Sequence, residues 1–144
     1  MTDAERRALL DALSAEYGAV YTYGVIAAYS APEHAGVVAE NAAAHRARRD
    51  ATLDELAKGG AIVPPPAAAY AAPFPVTDPV SAARLAATVE TDTAVAWRAV
   101  VERGESEPIR RIGVDALTEC AVRLATWQSI LGTNPPTVAF PGRV

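Results

Sequence analysis

A chain of 144 residues supplies one ordinary domain; half of it is apolar, much of that alanine, and only 6 % is aromatic, which excludes a β-sandwich with its demand for Val, Ile, Thr and aromatic side chains. The formal charge of −4 offers no general attraction for nucleic acid or anionic lipid, and a single cysteine, Cys120, excludes an intrachain disulfide or a cysteine-rich metal cage. No apolar run approaches the ~20 residues that span a bilayer, and Thr2 to Arg7 lead into an amphipathic helix without a signal-peptide core, so a soluble cytoplasmic protein is expected.

The spacing predicts four helices. The first opens on the capping box Thr2-Asp3-Ala4-Glu5 and places Leu10, Leu13, Tyr17, Val20, Gly24 and Ala27 on one seam, ending near Tyr29. Ser30-Ala31-Pro32-Glu33 reads as a second capping box that starts helix 2 after a tight link, so the first two helices are antiparallel neighbours. Helix 2 carries Val38, Ala42, His45, Arg49, Thr52 and Leu56 inward and stops at Gly59-Gly60. Residues 61–77 hold five prolines and cannot be helical for long. Asp78-Pro79 restarts a helix that faces Ala82, Ala86, Val89, Thr93, Ala96 and Val100 inward to about Glu102. After a turn at Gly104 to Pro108, helix 4 follows with Gly113, Leu117, Cys120, Leu124, Trp127 and Leu131, and residues 133–144 form an extended tail.

The proline-rich segment decides the topology. Its roughly 17 residues reach ~50 Å in polyproline form, more than the ~38 Å of a helix of about 25 residues. A hairpin would use only a handful, so the excess predicts a crossover that makes helices 2 and 3 parallel. Two antiparallel pairs joined by one long crossover is the ferritin-like connectivity. The two phenylalanines, Phe74 in Pro73-Phe74-Pro75 and Phe140 in Ala139-Phe140-Pro141, are expected to dock on the bundle.

Several stretches resemble a small, uncharacterised, alanine-rich ferritin-like family of actinobacteria. They are Ala15 to Gly24 in helix 1, Ala44 to Asp50 in helix 2, Pro73 to Val76 in the crossover, Trp97-Arg98 in helix 3, and Pro136 to Gly142 in the tail. The resemblance spans nearly the whole chain and implies a fold; no established activity comes with it.

Ferritin-like di-metal centres take a Glu from each of two helices and a Glu-x-x-His from each of the other two. Glu16 matches the first glutamate, with Tyr23 two turns on, and His45 matches the helix 2 histidine. The position three before it is Ala42, which has no ligand atom. Glu90 could serve from helix 3, but helix 4 has no histidine, and its acids Asp115 and Glu119 sit off the seam. Arg49, one turn from His45, adds a permanent positive charge. The expectation is therefore a polar core network of Glu16, Tyr23, His45, Arg49 and Glu90 with no metal and no catalytic residues. The alternative is an iron or manganese oxidase using Glu16, His45 and Glu90.

Cys120 reads as a buried structural thiol and His34 as an exposed first-turn residue, while Arg46 and Arg48 read as a solvated face without interleaved aromatics for nucleic acid. Helix 1 carries Tyr17, Tyr21, Tyr23 and Tyr29 on more than one face, which predicts a homodimer through that helix; the competing cover is the crossover or the tail. The expected role is a structural or interaction module. A small-ligand binder with a pocket beside the helix 1 tyrosines is the third reading.

Overall fold

In a computed structural model describing residues 1–144, four helices carry the chain: α1 (Asp3–Tyr29), α2 (Ala35–Lys58), α3 (Pro79–Arg103) and α4 (Glu107–Ile130). There are no strands, and the helices pack as a four-helix bundle. Pairings between side chains fix the directions. Tyr23 meets Asn41 and Glu16 meets His45, so α1 and α2 are antiparallel. Tyr23 also meets Glu90, and Glu16 meets Trp97, so α1 and α3 are antiparallel. The long connection therefore leaves α2 and α3 parallel, as its length demands.

Caps set the helix ends. Thr2 and Glu5 close the expected box, with Thr2 N–H donating to Glu5 Oε2 at 2.8 Å. Glu5 does more than cap its own helix. Its Oε1 accepts from the backbone N–H of Glu105 at 3.0 Å and of Ser106 at 2.8 Å, satisfying amides at the start of α4. These backbone bonds, Ser106 first, hold the Glu5 carboxyl down at about 2. Replacing Glu5 by alanine is expected to lower stability by about 2–3 kcal/mol, since it removes charge-assisted bonds at two helix ends. Urea unfolding reads this out, and a loss below ~1 kcal/mol would deny Glu5 that double role.

The expected box at Ser30 does not form. Ser30 turns back to donate to Ile26 O at 2.7 Å, and Pro32–His34 make a single 3₁₀ turn without a side-chain cap before α2 begins. Proline still sits in the first turn, where its missing N–H costs nothing. Asp78 caps α3 through Ser81 N–H at 2.7 Å. Gly60 and Gly132 take positive φ just past α2 and α4, the left-handed turn that ends a helix.

Dry core occupies both ends of the bundle. One cluster gathers Leu9, Leu13, Leu56, Trp97 and Val100; the other gathers Tyr23, Ile26, Val38, Leu85 and Trp127. The polar residues described below lie between them. Gly113 brings α3 and α4 close, since a Cβ there would stand 3.0 Å from Val101 N. The α2–α4 edge is the loosest. A groove lined by Ala44, Ala47 and Ala51 runs along it, bridged by Arg48 Nη2 and Glu119 Oε2 at 2.7 Å.

The crossover lies on the bundle. Val63 packs against the first cluster, the Tyr70 ring stands 5.6 Å from that of Tyr21, and Phe74 and Val76 pack against the second cluster. Phe74 thus docks as expected. Phe140 does not: it is 64 % exposed, with the Arg143 guanidinium 5.7 Å above its ring. The tail is held at Gly142 instead, where φ is +74° and a Cβ would come within 2.5 Å of Ala94 O. A contact that close admits only glycine, and no aromatic anchor is needed to make it.

Candidate functional site

The centre of the bundle holds a continuous hydrogen-bonded network to which every helix contributes residues one or two turns apart. Glu16 and Tyr23 come from α1, Asn41 and His45 from α2, Glu90 and Trp97 from α3, and Arg123 and Trp127 from α4. Spacings of four and seven residues keep each pair on one face. The result is two polar layers joined through His45.

His45 is the hub and is wholly buried. Its Nδ1 donates to Glu16 Oε2 at 2.7 Å and its Nε2 to Glu90 Oε1 at 2.9 Å. Burial by itself pulls the imidazole pKa down, but the hydrogen bonds and charges of the two carboxylates outweigh it and push it up to about 9. At neutral pH His45 is an imidazolium with both protons committed.

Glu16 accepts a further bond from Trp97 Nε1 at 2.7 Å on its other oxygen. Glu90 accepts from the Tyr23 hydroxyl at 2.6 Å and from Arg123 Nε at 3.0 Å. Burial works to raise the Glu90 pKa; the bond and charge of His45 and the charge of Arg123 prevail and hold it below the usual carboxylate range. Tyr23 is pushed well above its ordinary value by burial and by Glu90, so its hydroxyl keeps its proton and donates it. That hydroxyl accepts from Trp127 Nε1 at 3.0 Å. With its oxygen turned to Trp127, Asn41 accepts from the same indole at 2.9 Å and donates to Val37 O at 3.3 Å.

The charges balance: two carboxylates face one imidazolium and one guanidinium. Buried charges persist only when paired and hydrogen-bonded, and here every one is. Cys120 lies beside the network, with Arg123 Nη2 3.5 Å from its Sγ. Burial, then Glu90, pushes its thiol up to about 12, so it stays protonated and unreactive.

Of the expected network residues, Glu16, Tyr23, His45 and Glu90 come together. Arg49 does not. Its Nε bonds to Asp50 at the surface, 2.8 Å away. At its level α1 presents Tyr17 and no free carboxylate, so an inward guanidinium would have been buried unpaired. The arginine that enters is Arg123, reaching Glu90 from α4 with its side chain 13 % exposed. His34, expected at the surface, is half-buried with its ring edge-on to Trp127, centroids 6.3 Å apart.

Three carboxylate and imidazole groups do not make a metal site unless their donor atoms converge. Here the two ring nitrogens of His45 point to opposite carboxylates, and Arg123 occupies the remaining side of Glu90. No lone pair on His45 faces a common point with Glu16 and Glu90, and no cluster of three or more His, Cys, Asp or Glu side chains has ligand geometry. The residues present do not fit iron or manganese in this arrangement.

Residues 8–144 match the profile of the family described as Domain of unknown function (DUF4439). The chain belongs to that family. A solved structure is similar over nearly its full length: the conserved hypothetical protein rv2844 from Mycobacterium tuberculosis, 40 % identical, with TM-score 0.88, covering 91 % of this chain and 99 % of that one. The comparison with curated proteins found no match. No helix of this DUF4439 chain is long and apolar enough to cross a membrane.

Four members of the network were not anticipated from sequence: Asn41, Trp97, Arg123 and Trp127. The two tryptophans carried a usable signal. They are the only two in an alanine-rich chain, and a buried indole N–H calls for an acceptor. Arg123 carried none that set it apart from other helix arginines.

Proposed function

We propose that this DUF4439 chain is a ferritin-like bundle in which a charge-neutral ion-pair network takes the place of di-metal chemistry, and that it acts as a structural or interaction module. The observation that carries this reading is His45 engaged through both ring nitrogens by Glu16 and Glu90. A histidine so placed clamps three helices together and has no lone pair for a metal. The rival oxidase using the same three residues would need His45 deprotonated at one nitrogen and Arg123 withdrawn. An interaction role is supported by the outer face of α4, where the exposed Val122 shares a concavity with Val138 and Pro141 of the tail.

Melting with and without micromolar ferrous or manganous ion tests the proposal, beside metal analysis of protein purified without chelator. No change in Tm is expected. Native-state binding at 100 times Kd stabilises by ~2.7 kcal/mol, which at about 2–4 °C per kcal/mol in a chain of this size raises Tm by roughly 5–11 °C. Such a rise with near-stoichiometric metal would overturn the reading.

Self-association belongs to the same proposal. The face of α1 that called for a cover is partly taken by Pro64 to Tyr70 of the crossover, which leaves Tyr21 and Tyr29 exposed for a homodimer through that helix. Light scattering at micromolar concentration separates the two. A mass near one 15.0 kDa chain assigns the cover to the crossover alone.

A further inference from the structure

A second concavity lies apart from the buried network, between α1, α3 and the crossover, with a volume of about 300 Å³. Its walls are built from small residues. Ala15, Gly18 and Ala19 keep the α1 side low, and a Cβ at Gly18 would already touch the Tyr70 ring at 3.6 Å. The floor is Val89 and Thr93, which flank Glu90 but close the cavity off from it; Thr93 Oγ1 spends its proton on Val89 O at 2.9 Å. A molecule in this space does not reach His45.

One lining residue is charged: Asp92, at the mouth. Its outer side is exposed, yet burial of the rest raises its pKa and no neighbouring cation offsets the shift. The surroundings explain why. The crossover from Ala61 to Thr77 has no charged residue, and α1 from Ala12 to Tyr29 has only Glu16, which is buried. The buried acids Glu5, Glu16 and Glu90 each have a cation or backbone N–H groups against them, whereas the exposed Asp92 has none. The ring of Tyr70 lines the same cavity, held in place by Tyr21 at 5.6 Å and by Ala67 N–H donating to its hydroxyl at 3.2 Å. An exposed carboxylate without a cation partner and an ordered aromatic ring lining the same recess are the two groups an organic cation can engage together. The hydroxyls of Ser14 and Thr22 line the α1 side and suit a ligand that also bears an alcohol.

We propose that the cavity between α1, α3 and the crossover binds a small organic ammonium ion, with Asp92 as its counter-charge and Tyr70 as its aromatic wall. The volume stands at the low end for ligand sites and suits a head group of few heavy atoms. The site owes nothing to the chemistry of the buried network, so either reading can fail without the other.

The test is titration of the intact, ¹⁵N-labelled protein with choline and with ethanolamine, which present methylated and unmethylated ammonium heads. The control is 3,3-dimethyl-1-butanol, the uncharged carbon counterpart of choline. At least one of the two cations is expected to shift the amide signals of Gly18, Thr88 and Asp92 saturably, with Kd of about 1 mM or tighter. Asp92→Asn is expected to weaken that binding about twofold to fivefold, the loss of one partly screened ion pair, while leaving Tm unchanged because Asp92 makes no partner in the fold. Tyr70→Leu keeps the wall apolar and should weaken it less. Neither cation saturating below about 50 mM, equal binding of the neutral alcohol, or an Asp92→Asn protein that binds as well as the parent would each overturn the proposal.

Discussion

His45→Leu is expected to destabilise the protein by about 3–5 kcal/mol, the cost of breaking a buried charge network by removing one partner. Leucine fills much of the imidazole volume, so little of the loss comes from a cavity. What remains is electrostatic. Glu16 keeps only the Trp97 N–H, and Glu90 keeps Tyr23 and Arg123, so two buried carboxylates share one cation. The less supported of the two, Glu16, is then a stranded charge in the centre. One further measurement identifies that cause. Adding Glu16→Gln to His45→Leu removes the stranded charge while leaving an amide oxygen for Trp97, and the double variant should recover at least ~1–2 kcal/mol over His45→Leu alone. A loss of less than ~1 kcal/mol for His45→Leu in urea unfolding would mean that the network contributes little to holding the helices.

Stability should fall on the alkaline side well before any ordinary lysine or tyrosine titrates. The folded-state pKa of His45 is raised to about 9 from a model-compound value of 6.5. A raised pKa means that the folded state holds the proton more tightly. The stabilisation is then complete below about pH 6.5 and is lost as pH climbs through about 9. The full span is worth about 3 kcal/mol at ~1.4 kcal/mol per unit, to order of magnitude. On the acid side the signs reverse. Glu90 and Glu5 have lowered pKa values, so their stabilisation is present above the usual carboxylate range and fades as pH falls below it. Greatest stability is therefore expected between about pH 5 and 6.5. Cys120 and Tyr23, both raised, add to the alkaline loss only beyond the 9.0 and 10.0 of the free groups, so the interval from 6.5 to 9 reports on His45 alone. Urea midpoints at pH 6, 7.5 and 9 should decline in the parent protein and stay level in His45→Leu. A parent profile that is flat over that interval would show that His45 is not held as an imidazolium.

Much of the architecture was legible without coordinates because it rests on local chemistry. The Thr2 and Asp78 caps, the breaks at Gly60 and Gly132 and the seams of α2, α3 and α4 are each written within a few neighbouring residues, where propensity and backbone geometry act directly. The α1 seam is different: the expected line through Leu10, Tyr17, Gly24 and Ala27 is half-buried or exposed, and the buried line runs through Leu9, Ala12, Glu16, Ala19, Tyr23 and Ile26, because alanines on every face leave the period ambiguous. The crossover followed from chain length against helix length, a comparison that needs no contact map. His45 could be placed in the centre because its own helix sets its face, whereas Glu16, Tyr23 and Glu90, which lie off the expected seams, were singled out by the ferritin-like ligand pattern and are buried.

The choice between Arg49 and Arg123 could not be read that way. Both are helix arginines near a seam, and which one enters depends on what a different helix offers at that height: Tyr17 opposite Arg49, Glu90 opposite Arg123. The same holds for Phe140, excluded from the bundle because Gly142 already seats the tail against Ala94, and for Asp92, whose lack of a partner appears only when two charge-free segments fold around it. Sequence determined most helix ends and the apolar faces of α2, α3 and α4, since those preferences act residue by residue along the chain, but not the start of α2 or the buried face of α1. Tertiary structure alone decided which charges are paired, because desolvation makes a buried ion's fate depend on partners contributed by other helices.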